Sequence, residues 1–248
     1  MHKTSTDHHQ TLVEHLVDLR KCIVRILWVL VGGFAICWTF SEQLMDIIRQ
    51  PIQPFLSQTS GGGLVFLGVM DKFLAHLKIS FLASVIPTCP LWLFQVWKFV
   101  VPALYDSEKK FAYGFISFGT FLFLTGTLFA YFLVLPMAFK FLLNFGGSID
   151  KPMITLAEYL SFFTTTTLVF GAAFELPLIL TLLGILGVID SSFLRKNRRY
   201  AVVVLSIISA IITPPDALSM FMLLIPLLGL YELSIWLVQV MAKSKSSV

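Results

Sequence analysis

Four carboxylates stand where their chemistry is hard to explain as ordinary surface charge. Asp106 and Glu108 occur in "PALYDSEKKF", residues 102–111, a short polar connection between two long apolar stretches. Asp18 lies in "EHLVDLRK" just before the first apolar stretch, and Glu175 lies deep inside a later one. Carboxylates at a membrane edge suit a guanidinium, whose planar fork bonds an oxygen pair bidentately and keeps its charge when partly desolvated. Lysine fits such a receptor less well. The competing reading pairs Glu108 with Lys109 and Lys110, a surface contact worth roughly 0 to 1 kcal/mol. For Asp18 it is the i,i+3 partner Lys21 on a solvated face. On residue chemistry alone, neither reading displaces the other.

Glu175 poses a different question. Thr164, Thr167, Gly171 and Glu175 recur at spacings of three or four, so a helix would gather them into one small, polar stripe. An ionisable group inside a span is costly unless it faces protein or water. The stripe is therefore either an interhelical hydrogen-bond clamp or a patch for docking a partner. Pro177 is expected to kink the helix beside it. Glu232 lies near the end of the last apolar run, where a snorkelling structural role is expected.

No catalytic set accompanies these acids. Every histidine except His76 lies in the N-terminal tail, and neither H-E-x-x-H nor G-x-S-x-G occurs. No enzyme activity, cofactor or metal is expected. Cys22, Cys37 and Cys89 are odd in number and far apart, and read as small packing residues.

The elements holding these residues follow from composition. Of 248 residues, 57% are hydrophobic and 13% charged, so the chain reads as an all-α polytopic membrane protein. Apolar runs predict six transmembrane helices, over 23–40, 73–97, 111–139, 156–186, 200–212 and 218–241, the last two short. The fifth, at 13 residues, spans only about 20 Å, so it must borrow neighbours, end below the surface or sit in thinned bilayer. Thirteen Lys and Arg fall on the side of the N-terminus and four on the other, with Lys78 inside the second span. That excess makes both termini cytoplasmic. The whole chain, 1–248, reads as one membrane domain, with an amphipathic cytoplasmic segment at 1–22, six helices within 23–241 and a tail at 242–248. Basic residues at the ends of apolar runs set topology and give no nucleic-acid stripe.

Leu12, Leu16, Leu19 and Ile23 line one face of the tail, with His15, Asp18, Cys22 and Arg25 on another. On the far side, "SEQLMDIIRQPIQPFL" predicts an interfacial helix with Leu44, Ile47 and Ile48 on one face ahead of Pro51 and Pro54. Asp216, in "TPPD", reads equally well as a helix N-cap.

Several of these blocks together resemble a known family. "HLVDLRK", "QVWKFVVPALYDSEKK", "FAYFLVLPMAF", "YLSF" with "FGAAFELP", "LRKNRRY" and "TPPD" are similar, in order and spacing over roughly residues 12 to 240, to the TatC family, polytopic receptor subunits of the twin-arginine protein translocase. The resemblance implies a bacterial cytoplasmic membrane protein that binds twin-arginine signal peptides of folded precursors at its cytoplasmic face. It implies work with the single-span subunits TatA and TatB and with further copies of itself in membrane lipid, driven by the proton motive force. It assigns Glu108, Phe99 and Arg20 to signal-peptide binding and favours partner docking by Glu175, Thr164 and Thr167. Pro51 and Asp216 match family positions too. Two departures stand out: Asp18 replaces the family's usual Glu, one methylene longer, and Cys22 replaces a common arginine. The alternative is a proton-coupled small-solute transporter using Glu175 as carrier, although no internal repeat supports it.

Overall fold

The chain folds almost entirely into helix in a computed structural model that describes residues 12–56, 63–100, 112–144, 153–212 and 217–246. The elements are α1 (Leu12–Thr39), α2 (Ser41–Arg49), α3 (Gln53–Leu56), α4 (Asp71–Val85), α5 (Cys89–Val100), α6 (Ala112–Phe129), a π-turn (Ala130–Val134), α7 (Leu135–Asn144), α8 (Leu156–Phe174), α9 (Leu176–Ile185), α10 (Ser191–Lys196), α11 (Arg198–Ile212) and α12 (Ala217–Ser246). Apolar composition drives them into lipid, where the backbone can satisfy itself only within helices or closed barrels. Four helical runs are long and apolar enough to cross a membrane, and α4 with α5 makes a fifth if counted as one bent span. At 15 residues, α11 borrows Arg198 and Arg199 from the basic loop yet reaches only about 22 Å. Helix α12 is longer than its apolar pattern suggests, with Pro226 inside its 30 residues.

The runs are interrupted where proline removes a backbone donor. The second predicted span bends by 58° between α4 and α5, around Pro87 and Pro90. Side chains collect carbonyls at the break: the Thr88 hydroxyl donates to Ser84 O at 2.5 Å, and the Trp92 indole N–H to Val85 O at 3.1 Å. Ahead of Pro136 the third span loosens into the π-turn, where Leu135 N–H bonds Ala130 O. Ahead of Pro177, α8 ends and α9 begins, with Glu175 as the joint.

The two largest apolar clusters among the described residues hold the bundle. One joins the π-turn residues Ala130 and Val134 to Phe170, Phe174, Leu223, Leu227 and Tyr231. The other lies under α2 and joins Met45, Ile48 and Ile52 to Ala75, Ile79, Leu135, Phe139 and Tyr159. Tyr131 donates its hydroxyl to Ile47 O at 2.7 Å, and Tyr159 donates to Ile48 O, so two span tyrosines staple α2 in place. The most deeply buried residues of α2 are Met45 and Ile48, which with Ile52 follow the i,i+3,i+7 spacing that meets α4, while the expected face of Leu44, Ile47 and Ile48 lines a cavity beside it. Ile47 is 49% exposed. Pro51 is buried in the turn from α2 to α3.

Helix α1 stands at the edge. Its apolar stretch is only 6% buried, against 44% in each of the other three long runs. It touches the break in the second span through Gly33, where an added Cβ would lie 2.8 Å from Thr88 Cγ2.

Candidate functional site at the basic end

One end of the molecule gathers the start of α1, the end of α5, the start of α6, the end of α9, and α10 with both its neighbours. The contacts that join them are specific. The Cys22 thiol donates to Gln95 O at 3.3 Å, fixing α1 against α5. Trp97 is buried and its ring centroid lies 4.8 Å from that of Phe115, tying the end of α5 to the start of α6. Leu178 and Ile185 of α9 pack on the same pair. Tyr231 donates to Leu194 O at 2.9 Å, Arg198 meets Glu232 at 2.6 Å and Arg195 bonds Gln239, so α12 clamps α10 and α11. Glu232 thus has the structural role expected of it. Asp190 caps α10 by accepting Phe193 N–H, and this bond, with one from the Ser192 hydroxyl, holds its carboxyl below the usual value of 3.8.

Into this frame fall the sequence candidates. Helices α1 and α5 run antiparallel, so Asp18, one turn before Cys22, and Phe99, one turn after Gln95, lie at the same level. Asp18 carries the expected ion pair with Lys21, 3.2 Å long, with side chains 44% and 59% exposed. Such an exposed pair is weak and leaves the carboxylate free to exchange partners. Arg20 lies about 200° round the helix from Asp18, so it does not join Asp18 and Phe99. Arg25 does share the face of Asp18 and Cys22, two turns along, and its charge reaches the Cys22 thiol. The anchoring pair Cys22 and Gln95 was not legible as such, because it depends on the register between two helices. Glu108 and Asp106 lie outside the described residues, in the segment joining α5 to α6; Asp216 lies outside them as well.

Glu175 is 7% exposed and is held between helices, away from lipid. An added Cβ at Gly119 of α6 would lie 3.2 Å from its Oε2, and Cys89 of α5, itself against Thr120 of α6, is a neighbour. The stripe faces α6: a Cβ at Gly171 would lie 2.8 Å from Phe123 Cε2 and 2.9 Å from Thr127 Cγ2. Among the described residues, neither Glu175 oxygen, nor the hydroxyls of Thr164 and Thr167, finds a hydrogen-bond partner. The expected alternative of an interhelical hydrogen-bond clamp therefore lacks its donor, and burying such a group unbonded is costly. What the stripe supplies is close packing with an unsatisfied carboxyl beside it.

Relatives share this architecture. The family model described as Sec-independent protein translocase protein (TatC) matches residues 14–226. The chain is 41% identical to the Sec-independent protein translocase protein TatC of Campylobacter jejuni, covering 93% of this chain and 94% of that one. It is 38% identical to the protein of the same name from Desulforapulum autotrophicum, over 94% and 86%. A crystal structure of the twin arginine translocase receptor TatC superposes with a TM-score of 0.79 at 35% identity, covering 92% of this chain and 99% of that one. Multiple apolar helices and these relatives agree on a multi-pass protein of the bacterial inner membrane, acting in the Tat protein transport pathway. The chain belongs to the TatC family of Sec-independent protein translocase proteins.

Proposed function

We propose that this chain is the receptor and core of a twin-arginine translocase, binding the signal peptides of folded precursors at its cytoplasmic face and nucleating the export complex under the proton motive force. The observation that supports this best is the Cys22 to Gln95 contact, which sets Asp18 level with Phe99 at the basic end. The segment carrying Glu108 leaves α5 from that same end. Glu108 and Asp18 then receive the paired guanidiniums, Phe99 offers an apolar neighbour, and Arg20 turns away from the acids towards headgroups or the precursor. The chain works as one membrane domain with six spans and both termini in the cytoplasm. TatA and TatB dock by the Glu175 stripe, with Thr164 and Thr167, and Pro51 fixes the turn that ends α2.

Site-specific crosslinking of membranes to a labelled precursor tests the reading. An Arg-Arg precursor crosslinks to the basic end and its Lys-Lys counterpart does not. Glu108→Lys, which replaces attraction by repulsion, cuts the Arg-Arg crosslink at least about tenfold, since bonds to charged groups contribute about 1.5 to 3 kcal/mol. Equal crosslinking of both precursors, or full crosslinking by the variant at normal protein levels, refutes it. The second reading, a proton-coupled small-solute transporter, draws on the unpartnered oxygens of Glu175. Such a transporter has no reason to distinguish the two precursors.

A further inference from the structure

Signal recognition leaves the opposite end of the molecule without a task, and a cavity of about 300 Å³ lies there. It sits between α2, α4, α6 with its π-turn, and α8, and its walls are almost wholly apolar. Ile47 and Ile48 roof it, Leu82 and Ala83 form one wall, and Leu128 and Phe163 form the others. Two of its lining residues, Leu128 and Phe132, are 55% and 70% exposed, so the space opens outward through them. They belong to an apolar run of 31 residues, Gly114–Asn144, so the medium reaching the opening is hydrocarbon. Apolar cavities do not hold water well. A hydrocarbon chain has no such difficulty.

Shape and charge narrow the occupant. The space is walled by four elements and opens towards hydrocarbon, which suits a slender apolar chain. An extended chain fits. The roof also carries polar groups of the right kind. Directly after Ile47 and Ile48 come Arg49 and Gln50, and Gln50 Oε1 accepts from the Tyr131 hydroxyl at 3.1 Å. Among the described residues, the ion pair of Arg49 is a long, exposed contact with Asp46, 3.7 Å, which a phosphate can displace. Its charge reaches Tyr159, whose ring lies 6.0 Å from that of the wall residue Phe163. The geometry points to a lipid site: one acyl chain of a glycerophospholipid from the leaflet beside α2 enters the cavity between α2 and α6, and its phosphate rests on Arg49. Thr167 lines this cavity as well as belonging to the docking stripe, but the lipid site does not rest on signal-peptide binding.

The test uses the full-length protein in nanodiscs containing phosphatidylglycerol with a photoreactive diazirine in mid-chain. Irradiation followed by peptide mapping labels buried wall residues around Leu82 and Phe163. Ala83→Phe, which fills the space, lowers that labelling several-fold and leaves labelling of Trp28, on the exposed side of α1, unchanged. Arg49→Gln weakens wall labelling in the same preparation. If only exposed residues such as Trp28 and Phe132 react in the unmodified protein, the site does not exist, whatever the variants do. Wall labelling indifferent to Ala83→Phe in a folded variant overturns it too, and indifference to Arg49→Gln overturns the phosphate contact.

Discussion

Asp18 and Glu175 are both carboxylates in or beside spans, yet their surroundings assign them opposite tasks. Asp18 is half-exposed and, among the described residues, held by Lys21, so its charge is available and its arm length is secondary. Asp18→Glu keeps the charge and restores the family's longer reach. Since an exposed pair contributes under about 1 kcal/mol, export of a twin-arginine reporter stays near the unmodified level; loss of export at normal protein abundance would count against an exchangeable carboxylate. Glu175 is shut between α5, α6 and the α8–α9 joint, and among the described residues neither of its oxygens is bonded. Glu175→Gln keeps the shape and removes the ionisable group. If docking uses that group, recovery of TatA and TatB with the purified protein falls by about tenfold, the equivalent of about 1.4 kcal/mol. Undiminished recovery would leave the stripe as packing alone.

Helices were the most legible part of the sequence, and their interruptions the least. The long runs at 111–139 and 156–186 read as helices because apolar residues persist for about 20 positions or more. The joint at Glu175 was expected from Pro177. The 58° bend was not, although Pro87 and Pro90 mark it, because a run with mean apolar character conceals how Thr88 and Trp92 cap the break. The depth at which Met45 is buried was hidden for a related reason: Met45 and Ile47 are both apolar, and the position of α4 selects between them. In the site, residue types were readable but the level of Asp18 against Phe99 was not, since it rests on one contact between distant segments. The α6–α8 seam yields its own prediction. Gly171→Leu forces a side chain against Phe123 and Thr127, and overpacking of that kind costs about 1 to 3 kcal/mol, so thermal unfolding in detergent moves to lower temperature. Gly32→Ala, with open space around it inside α1, does not lower the transition. Equal melting of both variants would show that the seam can open.

The whole molecule separates charge and apolar cover by end. The basic end carries α10, and the opposite end carries the α2 cap. If the excess of thirteen Lys and Arg over four sets orientation, a membrane-impermeant maleimide on intact cells labels Gln43→Cys but not Ser192→Cys in a variant lacking Cys22, Cys37 and Cys89. Cell lysis makes both react. The reverse pattern would invert the topology and remove the site from the cytoplasm.

The π-turn links these two ends. Before it, Leu122 belongs with α12 and the first cluster; after it, Leu135 and Phe139 belong with the cap. A helix advances about 100° per residue, so the wide turn acts as a phase shifter, re-aiming the second half of one rod without a kink or a loop. Deleting a single residue there would let the ladder close as continuous α-helix, with Leu135, Ala138 and Phe139 still in their sockets. The third span is thus a key cut with two faces, and its angular offset is as much a part of the fold as any contact it makes.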